Sequence, residues 1–301
     1  LRKEAAWFMD RLPVGRVIDA HCHLFSPAVI DNVERHREPL GALHLDFGLV
    51  RERLTPESLL ASAASAGVDR CLLLFTADRD RIPQANRRAL ELHADDTPLS
   101  ALGTAHPELP RLEQELQRLA RAGTRGLKFS SFSQAIDFSG GGAFDMLEMA
   151  QGVWQAHGMR LAVILDTFVR ADEVFGTAPR FLTRPATLAA LVRRFPGIDF
   201  VGAHMGGLAA DFAELARDLP PAENLFLDTA NAAHTLTGEP FVLMLRRHGA
   251  ARVLFGTDWP WFGHAEEIPK ILDLLNRADF DEADARAVMR ENAARLLFPA
   301  Y

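Results

Sequence analysis

A chain of 301 residues, 48 % apolar and 24 % charged, is long enough to bury a large core and too balanced to be intrinsically disordered. Its net charge of −7, with no dense run of Lys or Arg, excludes a large nucleic-acid footprint, and no apolar stretch reaches the ~18 residues of a membrane span. The two cysteines, Cys22 and Cys71, make neither a disulfide framework nor a CxxC metal motif, which predicts a reduced, cytoplasmic setting.

In chain order, Leu1–Arg16 mixes charges with Trp7, Phe8 and Met9 and is expected to be a short amphipathic helical extension, not a secretion signal. Val17–His23 follows as the first strand-sized apolar run. The interval up to Arg70 is longer than any later one, and residues 26–55 are expected to form a loop insertion that acts as a lid. A helix is predicted over Pro56–Ala66, with Thr55 as its cap and Gly67 as its stop. Strands are then expected at Arg70–Phe75, Leu99–Thr104, Arg125–Ser130, Arg160–Asp166, Ile198–His204, Asn224–Thr229 and Arg252–Asp258. Helices are predicted at Arg111–Ala122, Phe144–His157 and Arg184–Phe195, each broken by a glycine or by Pro196-Gly197. Near-continuous apolar strands alternating with helices predict the α/β class, and eight of them a (β/α)8 TIM barrel. No internal repeat or linker divides residues 1–301, so one domain is expected.

Three strand ends carry chemistry. In Val17-Ile18-Asp19-Ala20-His21-Cys22-His23, the two histidines are two apart and face the same way, as imidazoles converging on one ion must. Two hydrogen-bonded histidines at a strand end give the same pattern. The run Phe255-Gly256-Thr257-Asp258-Trp259-Pro260 ends a strand on a carboxylate, where barrels place catalytic groups, although an aspartate there also caps helices. Phe200-Val201-Gly202-Ala203-His204-Met205-Gly206-Gly207 ends a strand on a histidine followed by two glycines, a pattern shared with structural histidines.

Taken together, HxH after the first strand, His204 after the sixth and Asp258 after the eighth resemble the amidohydrolase superfamily, and within it the amidohydrolase-related branch of metal-dependent barrel hydrolases and decarboxylases. Gly123-Thr124-Arg125-Gly126-Leu127-Lys128-Phe129 and the closing Glu291–Leu297 fit that branch. The resemblance implies one divalent ion, Zn2+ in the first place and Mn2+ in the second, on His21, His23 and Asp258. The family's fifth-strand histidine is replaced by Asp166, whose roles are a fourth ligand, a contact to a substrate cation, or a turn cap. A histidine that many relatives carry after the fourth-strand lysine is also missing here. Lys128 is expected to hold a substrate carboxylate or an internal ion pair. His106, Asn231, His234, Trp261, His264, Arg170 and Arg180 lie in loops expected over the site, with Lys128, Trp261, Arg170 and Asn231 as the substrate-binding set.

The activity expected first is hydrolysis of an ester, lactone or amide of a small carboxylated molecule by metal-bound water. In that scheme Asp258 takes the proton, His204 hydrogen-bonds the substrate oxygen and Lys128 stabilises negative charge. The alternatives are non-oxidative decarboxylation of an aromatic or unsaturated acid, metal-free lactone hydrolysis, and a barrel that binds without catalysis. The expected partners are a small-molecule substrate and, from base rates, a second copy in a homodimer, with no nucleic acid or membrane.

Overall fold

A computed structural model of the chain describes residues 17–93 and 97–298, so the helical extension expected over 1–16 lies outside the described residues. The chain divides into two compact units, one of Leu1–Leu72 with Asp228–Tyr301 and the other of Leu73–Leu227. Eight strands occur among the described residues, one on each predicted run. They are β1 (Val17–Cys22), β2 (Val68–Leu74), β3 (Leu99–Leu102), β4 (Gly126–Phe129), β5 (Ala162–Leu165), β6 (Asp199–Gly202), β7 (Leu225–Asp228) and β8 (Val253–Leu254). Most are shorter than predicted because the ladder stops where the loops that carry the polar residues begin. The fold class is α/β, with the strand–helix order of a (β/α)8 barrel.

In the Leu73–Leu227 unit, the Phe75 N–H donates to Leu102 O at 3.3 Å, so the end of β2 lies along β3, and Gly103 bridges Leu127 in parallel. From there β4, β5, β6 and β7 pair in sequence, all parallel, with Lys128 opposite Ile164 and Val163 opposite Phe200. Every residue of β4 and β5 is buried, as parallel strands covered on both faces require. Gly126 is obligatory here, since a Cβ on it would stand 1.9 Å from the Ala162 carbonyl oxygen.

In the other unit β1 runs beside β8. Ala20 N–H donates to Phe255 O at 2.9 Å, Asp258 N–H to His21 O at 3.0 Å, and His23 N–H to Trp259 O at 2.7 Å. Thr229, one residue past β7, donates its N–H to Leu254 O at 3.0 Å. The predicted helices appear at Pro56–Ser65, Leu112–Arg121, Gly141–Ala156 and Pro185–Arg194. The first starts in a reciprocal cap between Thr55 and Ser58 and ends at Gly67 in the left-handed region, φ +74°. No helix among the described residues is long and apolar enough to cross a membrane.

The segment 26–55 differs from the loop that was expected. It begins with a helix, Pro27–Arg35, and continues through short 3-10 turns at Gly41–Leu43 and Val50–Arg53. Its apolar side chains Ile30, Val33, Leu45, Phe47, Val50 and Leu54 pack with Trp261 and Phe262. Ser26-Pro27 is an ordinary helix start, with proline in the first turn where its missing N–H costs nothing. Burial of this cluster gives the insertion a folded form of its own.

Candidate active site

The backbone bonds between β1 and β8 set the ends of the two strands side by side, and the site follows from that. Asp19, His21 and His23 alternate onto one side of β1. Gly256 lets His21 lie against β8, because a Cβ on that glycine would stand 2.7 Å from His21 Cβ. Beyond it the chain turns at Asp258, which adopts φ +64°, a left-handed conformation that costs a residue with a side chain about 1–2 kcal/mol. That turn brings the carboxylate back towards the histidines.

His21 Nε2 and His23 Nε2 lie 3.0 Å apart, and Asp258 Oδ1 is 3.7 Å from the first and 3.6 Å from the second. His21 is fully buried, and His23 and Asp258 are buried. Donor atoms about 2.1 Å from one cation lie ~3.0 Å apart at right angles and ~3.4 Å apart at the tetrahedral angle. The three atoms therefore need almost no movement to share an ion. The protonation pattern fits as well. Asp228 Oδ2 is 2.8 Å from His21 Nδ1, so Nδ1 carries the proton and donates it, and Nε2 presents its lone pair. This carboxylate–histidine pairing accompanies metal-ligating imidazoles and fixes their tautomer and ring angle. The residues present fit a divalent ion held by His21, His23 and Asp258.

Asp228 is absent from the sequence reading. It ends β7 in Leu227-Asp228-Thr229, much as Asp258 follows Gly256-Thr257, and that repeated strand-end aspartate is the signal that could have found it. Its other oxygen accepts the Ala230 N–H at 3.2 Å. Asp228→Ala should weaken metal binding by about 10–100-fold with little loss of fold, measured by competition with a chelator.

Asp19 was also missed, and it supports the site from behind. Fully buried, it accepts the His21 N–H at 2.9 Å, the Thr257 N–H at 3.1 Å and the Thr257 hydroxyl at 2.5 Å. His264, the first residue of the helix His264–Arg277, reaches Asp19 Oδ2 through Nε2 at 3.1 Å, while its Nδ1 lies 2.9 Å from Ser62 Oγ. Expected in a loop over the site, His264 is instead fully buried. Burial pulls its imidazole down, but the Asp19 carboxylate and Cys71 more than reverse this and hold it at about 9. Burial likewise pushes Asp19 up, and His264, Thr257 and the His21 N–H outweigh it, leaving Asp19 below its ordinary value. A raised imidazole stabilises the fold fully below pH 6.5, its ordinary value, and loses that contribution as pH rises through about 9. The depressed carboxylate contributes above pH 3.8, its ordinary value, and loses this as pH falls. The urea midpoint should therefore be highest between these two limits and should fall on the alkaline side between neutrality and pH 9.

The remaining predicted residues divide by their surroundings. Asn231 is 1 % exposed, adopts φ +54°, and neither amide atom has a hydrogen-bond partner among the described residues. Trp261 is buried in the cluster under the insertion, its ring 6.0 Å from Phe25 and 5.6 Å from Phe47, and Phe25 stacks on His23 at 4.6 Å. His234 lies 2.9 Å from Glu267 Oε1 and 2.8 Å from Lys270 Nζ, with its ring stacked on Phe262. In the Leu73–Leu227 unit Lys128 is 1 % exposed on β4, and His204 is buried after β6 with φ +56°. Asp166 follows β5 and accepts the Phe168 N–H at 2.9 Å, closing a turn with one of its oxygens. Both His106 nitrogens serve the scaffold, one accepting the Glu108 N–H and the other donating to Gln134 O. Arg170 pairs with Glu173 at 2.6 Å on the surface, and Arg180 lies over Phe181.

Comparison with known proteins adds three findings. A family model described as "Amidohydrolase" matches residues 18–298. Over 126 residues the chain is 32 % identical to gamma-resorcylate decarboxylase of Rhodococcus jostii (strain RHA1), a match that takes in 36 % of each protein, about a third of that relative's length. Among solved structures it resembles 5-carboxyvanillate decarboxylase from Sphingomonas paucimobilis, with a TM-score of 0.64, 19 % identity, and coverage of 94 % of this chain and 99 % of that one. It also resembles dihydroxybenzoic acid decarboxylase from Polaromonas sp. JS666 with bound manganese and the inhibitor 2-nitroresorcinol, with a TM-score of 0.66, 18 % identity, and coverage of 94 % and 96 %.

Proposed function

The chain belongs to the amidohydrolase family, and from that premise we propose that it is a metal-dependent lyase that removes CO2 from a hydroxylated aromatic acid. The observation that carries the proposal is the convergence of His21 Nε2, His23 Nε2 and Asp258 Oδ1 within 3.7 Å of one another. Hydrolysis, expected first from the sequence, yields to decarboxylation because the relatives and structural neighbours above are decarboxylases of aromatic acids. Manganese takes the place of zinc for a similar reason, since the Polaromonas enzyme carries it.

The ion, when bound, would supply positive charge to hold and polarise the substrate's oxygens. His21 and His23 would hold that ion, and Asp228 would keep His21 in the correct tautomer. Asp258 would face the ion with Oδ1 and, carrying a proton on its other oxygen, would pass that proton to the ring carbon that carries the carboxylate as the carbon–carbon bond breaks and CO2 leaves. Phe25, stacked on the ligand His23, offers an apolar face suited to a planar ring. Asn231, buried with both amide atoms unpaired, would recognise a ring hydroxyl, since an unmade buried hydrogen bond costs about 1–3 kcal/mol.

Lys128, His204 and Asp166 enter on the sequence resemblance. Lys128 would hold the substrate carboxylate, His204 would hydrogen-bond a substrate oxygen, and the second Asp166 oxygen would serve as a ligand. Arg170 and Trp261 are assigned no direct role, because the first is paired with Glu173 and the second is packed under the insertion. The test is incubation of Mn2+-loaded protein with a panel of ortho-hydroxybenzoates and, in parallel, with aryl esters and lactones. Release of CO2 with the matching phenol is expected, and chelation should abolish it. Ester or lactone cleavage without CO2 would restore the hydrolase reading.

A further inference from the structure

The chain's two cysteines are far apart in sequence and meet in one buried place. Cys22 lies on β1 between His21 and His23, and Cys71 lies on the neighbouring β2. Neither side chain has any exposed surface. The donor atoms of Cys22, Cys71 and His264 all lie within 4.8 Å of one another, and Asp19 Oδ2 is 3.1 Å from His264 Nε2.

We propose that Cys22, Cys71, His264 and Asp19 form a second cation site, distinct from the His21, His23 and Asp258 set, that takes a thiophilic ion of the Zn2+ class and ties β1, β2 and the helix starting at His264 together.

Strand alternation turns Cys22 away from His21 and His23, and Asp19, which lies on their side of β1, joins the cluster through His264, whose Nε2 is 3.1 Å from Asp19 Oδ2. The donor chemistry separates them further. Two sulfurs, one imidazole nitrogen and one carboxylate oxygen make a tetrahedral set suited to zinc, whereas an ion such as manganese prefers oxygen and nitrogen. Metal–sulfur bonds of about 2.3 Å and metal–nitrogen bonds of about 2.0 Å put donors ~3.5–3.8 Å apart, so Cys22, Cys71 and His264, whose donor atoms lie within 4.8 Å of one another, have to draw together by up to about 1 Å, and Asp19 has to move in beside them. Binding displaces the two thiol protons and the His264 Nε2 proton, and the ion takes over the charge balance that the imidazolium gives Asp19. Full burial implies that the ion is taken up as the chain folds.

The test uses the full chain produced in cobalt-supplemented minimal medium, with Co2+ as the probe. A near-ultraviolet thiolate-to-cobalt charge-transfer band is expected in the wild-type protein, together with Co–S scattering at about 2.3 Å in X-ray absorption. Cys71→Ser should lose both while keeping nitrogen- and oxygen-bound cobalt. Should that variant fail to fold, the wild-type X-ray absorption decides alone. Cobalt bound only by nitrogen and oxygen in the wild type, with no charge-transfer band, would overturn the proposal and leave the four residues as an Asp19–His264 ion pair with two packed thiols. Neither readout involves substrate or turnover, so the outcome is independent of the decarboxylase reading.

Discussion

Asp258→Asn is expected to lower kcat by about 10²–10⁴-fold, the usual contribution of a positioned acid–base group, with the fold intact. The carboxylate does two things that an amide of the same shape cannot. Its Oδ1, 3.6–3.7 Å from two imidazole nitrogens, is placed to hold the ion, and its other oxygen would carry the proton to the reacting carbon. The fold should survive because the residue sits at φ +64°, and asparagine tolerates the left-handed region as well as aspartate does. CO2 release measured beside a thermal melt separates the two effects. Near wild-type turnover with an unchanged melt would remove Asp258 from the chemistry.

Asp19→Ala should produce the largest loss of stability. With the thiol cluster free of metal, His264 would then be a buried cation with no counter-charge, and the Thr257 hydroxyl and two backbone N–H groups would lose their acceptor. Breaking a buried pair from one side costs about 3–5 kcal/mol, which for a chain of this size lowers the melting temperature by roughly 10 °C. The double variant Asp19→Asn with His264→Gln removes the cation too and should recover part of that loss. Equal destabilisation in both variants would show that the ion pair is not what holds this region.

The fold was legible because it rests on short-range pattern. Apolar runs of strand length, four of them preceded by a predicted helix that a glycine or Pro196-Gly197 breaks, mark β1 to β8 without reference to distant residues. His21 and His23 were legible through the two-residue period of a strand, and Asp258 through the Gly-Thr-Asp that stops one. The supporting residues were not. Asp228 and Asp19 act by satisfying another side chain far along the chain, at 2.8 Å from His21 and 3.1 Å from His264, and no local period announces such a pairing. The meeting of Cys22 with Cys71 is hidden for the same reason. Backbone strain was equally invisible: His204, Asn231 and Asp258, after β6, β7 and β8, all adopt positive φ. Such outliers cluster at functional sites, where the surrounding structure holds them in place. Trp261 shows the reverse error. An aromatic beside a predicted site suggests a substrate wall, but this one is claimed by the apolar side of the insertion.

Manganese binding to metal-stripped protein, followed by loss of the free-ion electron paramagnetic resonance signal, tests the metal centre directly, and Mn2+ has little affinity for the thiol-containing cluster. The wild-type chain should take up one equivalent, and His21→Ala and Asp258→Ala should each abolish tight uptake. No bound manganese in the wild type, or equal binding in all three proteins, would contradict a metal held between the first and eighth strands.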